Sequence, residues 1–285
     1  MAHRMSITYT KMHGLGNDYL FIETENTPID DPHELSRQMS HRHLGAGADG
    51  IILISRGDST DFSMRIFNAD GSEAETCGNG IRCFAKYVYE RGLTDKTDFV
   101  IDTLGGPNHV TLGCDAGKVV TVRSNMGRPK FERGEIPMEG AAGKVIEEDL
   151  DVEGETFQVT CVNVGNPHAV VFVDDATVID LPSIGPKIEN HPKFPERTNV
   201  EFVNVIDREN IVMRIWERGS GVTMASGSGS CGAALASMIT DRVDRKVSVH
   251  LVFGELAIEW AEDGDVFQEG PATEVYTGSW PNGTD

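Results

Sequence analysis

The sequence predicts an internally duplicated α/β (α+β) protein, and three observations carry that expectation. Landmarks recur at one constant offset, short β-rich runs dominate, and each half holds one helix that opens on a glycine-rich corner. Gly16-Asn17 returns as Gly165-Asn166, Met64-Arg-Ile-Phe67 as Met213-Arg-Ile-Trp216, and Cys77-Gly-Asn-Gly80 as Ser226-Gly-Ser-Gly229. Each step is 149 residues (77 to 226, for example) and needs no gap. A single dipeptide match is noise; three in register mark two homologous halves. Residues 5–125 and 155–280 are the expected domains. The stretch between them, about 126–154, is read as a linker because Gly127, Pro129, Gly134, Pro137, Gly140, Gly143 and Gly154 interrupt regular structure there.

Within each half the order is the same: a strand ending in Met-Arg-Ile-aromatic, a polar turn, and a glycine corner leading into a helix. The first helix follows Cys77, and its body, Ile81 to Gly92, places Phe84, Tyr87 and Val88 on one face with Gly92 as the stop. The second, Cys231 to Ile239, is almost entirely small or apolar, as expected of a segment buried all round. Ile51–Ile54, Val119–Val122, Val170–Val173 and Val247–Val252 read as strands. Glu255–Glu259 alternates charged and apolar residues, the pattern of a half-exposed strand.

The chain of 285 residues carries 25 Lys+Arg against 45 Asp+Glu, a formal net charge of −20. So acidic a surface argues against nucleic acid or an anionic membrane as partner and favours a small molecule. No apolar run approaches the ~18 residues of a membrane span, and Met1 to Thr8 has no signal-like apolar core, so a cytoplasmic enzyme is expected. Five cysteines (77, 83, 114, 161 and 231) are an odd number in a chain that needs no staples, so free thiols are expected. Cys77 and Cys83 are too far apart for a usual zinc half-site, and no paired histidines follow, so no metal is expected.

Glycines one and three residues after Cys77 and Ser226 uncover backbone N–H groups where a helix dipole is positive, a natural place for an anion. Neither corner has the Lys-Ser/Thr of a phosphate-binding loop, which favours a carboxylate, held between two such corners facing each other. The same helix end lowers the pKa of a thiol that begins it, so Cys77 is a candidate base or nucleophile; a small residue fitting a tight turn is the alternative. Cys83, Cys114 and Cys161 are expected to pack, and Cys231 to be structural. Asn17, Asn166, His168, Asn68, Asn199, Glu217 and Arg218 stand beside these landmarks. Carboxamides, a guanidinium and a carboxylate together suit a zwitterionic ligand.

At these residues the chain resembles the diaminopimelate epimerases from about Met5 to about Tyr276. The motifs are Lys11-Met-His-Gly-Leu-Gly-Asn-Asp18, Arg42-His-Leu-Gly-Ala-Gly-Ala-Asp-Gly50, Met64-Arg-Ile-Phe-Asn-Ala-Asp-Gly-Ser72, Cys77-Gly-Asn-Gly-Ile-Arg82, Gly165-Asn-Pro-His168, Arg197-Thr-Asn-Val200 and Trp216-Glu-Arg-Gly-Ser220. The resemblance implies two pseudosymmetric domains, each a β-barrel-like sheet around a central helix, and a cofactor-independent interconversion of LL- and meso-2,6-diaminopimelate on the route to lysine and peptidoglycan. It implies a small-molecule diamino acid as the ligand, with a homodimer left open. It makes Cys77 a catalytic acid/base, sets Glu217 and His168 beside the reacting centre, and gives the distal end of the substrate to Asn17, Asn68, Asn166, Asn199 and Arg218. Backbone N–H groups of Gly78, Asn79, Gly227 and Ser228 would hold the reacting carboxylate.

Position 226 departs from the family pattern: a second cysteine is expected there and the chain has Ser226, with Ser228 where threonine is common. A hydroxyl is a far weaker acid than a thiol of pKa about 8.5, so Ser226 is expected to stay protonated, a feeble base still able to donate. The expected outcomes are slow epimerisation, a serine-adapted site in which Glu217 assists, or changed chemistry. The last would be another amino-acid racemase or a hydroxyproline dehydratase-like lyase. A non-catalytic diamino-acid binding protein is the alternative outside enzymes.

Overall fold

The apolar runs of the first half become strands whose two faces are both covered. A computed structural model describes residues 6–25 and 27–281. The first half contains β1 (Ser6–Gly14), β2 (Asn17–Glu23), α1 (Pro32–Ser40), β3 (Gly50–Arg56), β4 (Phe62–Asn68), β5 (Glu73–Ala74), α2 (Gly78–Glu90), β6 (Asp98–Thr103), β7 (Gly106–Asp115) and β8 (Lys118–Asn125). β2 runs parallel to β3, and β4 to β6, while β1–β2, β3–β4, β6–β7 and β7–β8 are antiparallel. Parallel neighbours need a long crossover, and α1 and α2 lie in those two connections.

Side chains alternate across a strand, so successive residues enter different cores. Tyr19, Phe21, Ile52, Ile54, Met64, Phe99, Val110 and Val122 surround Ile81, Phe84, Tyr87 and Val88 of α2. Leu20, Ile22, Ile51, Leu53 and Phe67 instead join Met39 of α1. Burial on both faces is why these strands read as continuous apolar runs. Strands β1 to β4 and β6 to β8 all reach one helix, so the sheet curves around α2. The helix ends at Gly92, whose φ of 71° only glycine adopts without strain, and Leu93 N–H donates to the Val88 carbonyl there.

The second half repeats this order with β9 (Glu148–Val152) added in front. It continues through β10 (Glu155–Asn163), β11 (Pro167–Phe172), α3 (Leu181–Glu189), β12 (Asn199–Val205), β13 (Asn210–Glu217), β14 (Gly221–Thr223), α4 (Gly227–Ile239), β15 (Lys246–Leu251), β16 (Gly254–Trp260) and β17 (Val266–Gly270). Helices α1 and α3, α2 and α4, and strands β1 and β10 and β3 and β12, correspond residue for residue at the expected offset. Helix α4 contacts β10, β11, β12, β13, β15 and β16 and is buried along nearly its whole length. Its interior is built from glycine, alanine and serine, so strands approach its backbone closely.

The chain divides into two compact units at boundaries other than 5–125 and 155–280. One runs to Ser124 and takes back the segment from Gly270 onward; the other is Asn125–Glu269. The last strand, β18 (Thr273–Pro281), pairs antiparallel with β1, just as β9 pairs with β10. Each unit therefore closes the same edge, one with a strand from the far end of the chain and one with the strand immediately before. An open edge strand leaves a row of unpaired N–H and C=O groups, and both units avoid it. Residues 126–154 consequently are more than a spacer: Ile136, Met138, Val145, Leu150 and Val152 are buried in the second unit.

Candidate active site

In the first unit the site grows from a tight hairpin and a helix start. Leu15 (φ 56°) and Gly16 (φ 96°) form the two-residue loop between β1 and β2, with Gly14 opposite Asn17. Cys77 caps α2 in extended geometry, and its Sγ accepts from Gly80 N at 3.4 Å. The Cys77 thiol donates to Asn17 Oδ1 at 3.6 Å, and the buried Asn79 carboxamide donates to the same oxygen at 3.2 Å. Asn17 in turn donates through Nδ2 to Asp49 Oδ2 at 2.7 Å. Asp49 also accepts from Arg42 (2.7 Å) and from Asp18 N–H (3.0 Å), and Asp18 pairs with Lys11 at 2.8 Å. Burial works to raise the Asp18 carboxyl, but Arg42 and Lys11 outweigh it and hold it below the usual carboxylate range. Burial lifts the Tyr19 phenol well above its usual range, and the adjoining Cys77 pushes the same way.

In the second unit Ser226 caps α4 through its Oγ, which accepts from Gly229 N at 3.2 Å, and the residue is only 5% exposed. The buried Gln268 donates to the Gly227 carbonyl at 2.8 Å, and a Cβ at Gly227 would meet its amide at 3.0 Å. His168 and Glu201 are completely buried, with Nδ1 and Oε1 2.6 Å apart, and His168 Nε2 lies 2.8 Å from Asn166 Oδ1. Asn199 donates to the Pro167 carbonyl at 2.8 Å and accepts from Arg218 N–H at 2.9 Å. The Arg218 guanidinium donates to the Glu196 carbonyl at 3.1 Å. Glu217 accepts from the Thr223 hydroxyl. Buried Glu189 gathers this loop by accepting from Trp216 Nε1 (2.6 Å), Gly219 N (2.9 Å) and Arg197 (3.1 Å).

The expected residues thus assemble as two clusters. Asn17, Asn79 and Cys77 with its neighbour Gly78 form one; Asn166 with His168, and Asn199 with Arg218, lie together in the other unit, which also holds Glu217 and the Ser226–Gly227–Ser228 corner. Asn68 turns instead to Ser72 Oγ at 3.0 Å within its own turn. His168, expected beside the reacting centre, has both ring nitrogens engaged inside its unit. Tyr19, Asp49, Glu189, Glu201 and Gln268 were not singled out from sequence. Glu201 did leave a signal, an acid inside the apolar strand Asn199–Val205. All five cysteines are free thiols. Cys83, Cys161 and Cys231 are buried as expected, and burial pushes the Cys83 thiol up to about 12. Cys114 is exposed, contrary to expectation, because the β7–β8 register shifts between Gly113 and Cys114.

Among solved structures, a hydroxyproline epimerase from Agrobacterium vitis with bound trans-4-hydroxy-L-proline superposes with a TM-score of 0.69 at 14% identity, covering 98% of this chain and 94% of that one. A Bacillus anthracis phenazine biosynthesis protein of the PhzF family gives 0.68 at 15% identity, over 96% and 99%. The chain therefore has the fold the motifs implied, a duplicated α/β architecture that these two proteins share. More narrowly, it belongs to the diaminopimelate epimerase family, whose model matches residues 9–132 and 160–275. The diaminopimelate epimerase of Moorella thermoacetica is 50% identical over 276 residues, 96% of this chain and 99% of that protein. Among the described residues no helix is long and apolar enough to cross a membrane.

Proposed function

We propose that the protein interconverts LL- and meso-2,6-diaminopimelate without a cofactor, a step toward lysine in the cytoplasm, and that Cys77 is the principal acid/base. The observation that carries this is the Cys77 cap: a half-exposed thiol at the positive end of α2, facing the carboxamides of Asn17 and Asn79. In the reaction the α-C–H bond breaks, its proton passes to the Cys77 sulfur as thiolate, and the electron pair moves into the substrate carboxylate. Backbone N–H groups at the helix start, Gly78 and Asn79 in one copy and Gly227 and Ser228 in the other, stabilise that developing charge. Inversion needs a second group to deliver a proton, and the repeat gives that task to Ser226. As a weakly acidic hydroxyl that already caps its helix, Ser226 stays protonated, able to donate and poor at abstracting. Asn68, Asn166, Asn199 and Arg218 recognise the far end of the diamino acid, with Asn17, and Glu217 stands beside the reacting centre.

The test follows α-hydrogen exchange in D2O from each diaminopimelate stereoisomer under reducing conditions. Cys77 as the one competent base gives exchange from a single stereoisomer. Equal, fast exchange from both overturns the assignment of Ser226 as a poor base. Calorimetric binding of meso-diaminopimelate with no exchange over a day identifies a binding protein instead.

A further inference from the structure

The twin asparagines of the repeat are wired in opposite senses. In the first unit Asn17 meets Asp49, and an ionised carboxylate can only accept, so the Asn17 NH2 is turned inward and its oxygen is presented to Cys77 and Asn79. In the second unit Asn166 meets His168 Nε2 at 2.8 Å, and the ring's other nitrogen meets Glu201 at 2.6 Å. What Asn166 presents therefore depends on whether Nε2 carries hydrogen.

Burial decides that question. His168 and Glu201 are both 0% exposed, and Glu201 Oε2 has no hydrogen-bond partner among the described residues. Two arrangements leave the pair with no net charge and no stranded donor: carboxylate with imidazolium, or carboxylic acid donating to the Nδ1 of a neutral ring. In both, Nε2 carries hydrogen. With hydrogen on Nδ1 alone, Glu201 is either a carboxylate, an uncompensated negative charge in a dry interior, or an acid protonated on Oε2, a buried O–H facing no acceptor among the described residues. Burial raises the Glu201 carboxyl, His168 offsets this, and the nearby Glu217 adds to the rise, so a lone Glu201 anion is the least favourable state. One proton shared along the 2.6 Å contact satisfies both partners.

The repeat supplies a control. At the same offset, His168 corresponds to Tyr19 and Glu201 to Ile52. In the first unit that pair sits in the apolar core around α2, so this architecture closes without an ionisable pair there. Gly232 of α4 adds to the case, since a Cβ there would lie 2.9 Å from His168 Cγ and 3.0 Å from its Cβ. The helix keeps a glycine in its interior where the imidazole rests.

We propose that Glu201 is a positioning residue: through His168 it locks the Asn166 carboxamide with its oxygen inward and its NH2 outward, as a fixed donor to a substrate carboxylate. Asn17, anchored by Asp49, presents the opposite polarity. The proposal rests on Asn166 being a substrate-binding residue, and the experiment separates the two.

The first measurement needs neither a variant nor turnover. In 15N-histidine-labelled protein, the His168 ring, assigned through its contacts with Gly232 and Asn166, is expected to show a protonated, pyrrole-type Nε2. A pyridine-type Nε2 overturns the proposal. The second is kinetic, with calorimetric Kd replacing KM if turnover is slow. Removing the anchor with His168→Phe and Glu201→Leu is expected to raise KM for diaminopimelate about tenfold, the order of one charge-assisted hydrogen bond, with kcat within about threefold, whereas Glu201→Gln, whose NH2 can donate to Nδ1 as the acid does, is expected to keep KM within about threefold. In an Asn166→Ala background the double substitution is expected to change KM by less than about twofold, because the donor it controls is gone. An equal rise in both backgrounds, or no rise in either, overturns the proposal. If the Phe–Leu pair folds poorly, His168→Tyr with Glu201→Ile copies the first unit's pair and is expected to fold with the same loss of affinity. An Asn166→Ala protein that keeps its KM refutes the substrate role of Asn166, and the NMR measurement then still decides the wiring.

Discussion

The helix starts at Cys77 and Ser226 share a backbone and differ in almost everything attached to it. Both caps are extended, both accept from the N–H three residues on, and both helices run for 13 residues. Cys77, however, is half-exposed and its thiol donates to the Asn17 carboxamide, whereas Ser226 is buried and does what serine does best at this position, which is cap a helix. Duplication has preserved the helix-start geometry twice and the thiol once. The hairpins before them differ as well: two loop residues separate β1 from β2, placing Asn17 in the ladder, while β10 pairs with β11 from Pro167, leaving Asn166 in the loop.

The contrast is broken most severely at Cys77. Cys77→Ser is expected to lower turnover by roughly 10²–10⁴, the usual weight of a general acid/base. It should also stabilise the protein by about 0.5–1 kcal/mol through a better cap, read as a rise in melting temperature. Opposite signs for activity and stability are the signature; a parallel loss of both would make Cys77 structural. Ser226→Cys is the reciprocal experiment and is expected to raise turnover by up to roughly 10²–10⁴ at a small cost in stability. No gain would identify a site adapted to serine.

Smaller effects sharpen the same comparison. Gly232→Ala should displace the His168 ring and destabilise by about 1–3 kcal/mol, as overpacking does, despite alanine's better helix propensity. Denaturant unfolding measures it, and a gain in stability would show that the ring moves freely. Alkylation of the native protein should modify Cys77 and Cys114 and spare Cys83, Cys161 and Cys231, as mass spectrometry would count. The smallest effect concerns acid stability. The Asp18 carboxyl is held below its usual range when folded, so its contribution is present above its unfolded pKa of about 3.9 and is lost as the pH falls through the lower folded value. Asp18→Asn should lower stability at neutral pH, flatten that part of the acid unfolding curve and leave its slope unchanged on the alkaline side.

Much of this was legible in advance because it depends on local rules. The constant offset between landmarks anticipated paired helices and strands, and the glycines beside Cys77 and Ser226 anticipated two helix starts with uncovered amides. Cys77, Asn17, Asn166 and Asn199 were visible as polar residues beside those landmarks. Other features were out of reach for a reason that is equally physical. Composition marks turns but carries no record of which distant strand completes an edge, so β18 pairing with β1 and β9 filling the same place beside β10 were unreadable. The exposure of Cys114 followed from a register shift, a property of two strands rather than of either.

Chain order and residue type sufficed for the duplication, the strand and helix succession, and the thiol and carboxamides available for chemistry, since each reflects periodicity or the conformational freedom of single residues. Protonation and polarity were settled by packing. Whether Asn17 offers an oxygen and Asn166 an amine, and whether His168 can act as a base, depends on which groups touch them and on how little water reaches Glu201. Those are facts about neighbours brought together across 32 or 33 residues of chain, where the energy of a buried charge, and no local preference, selects the arrangement.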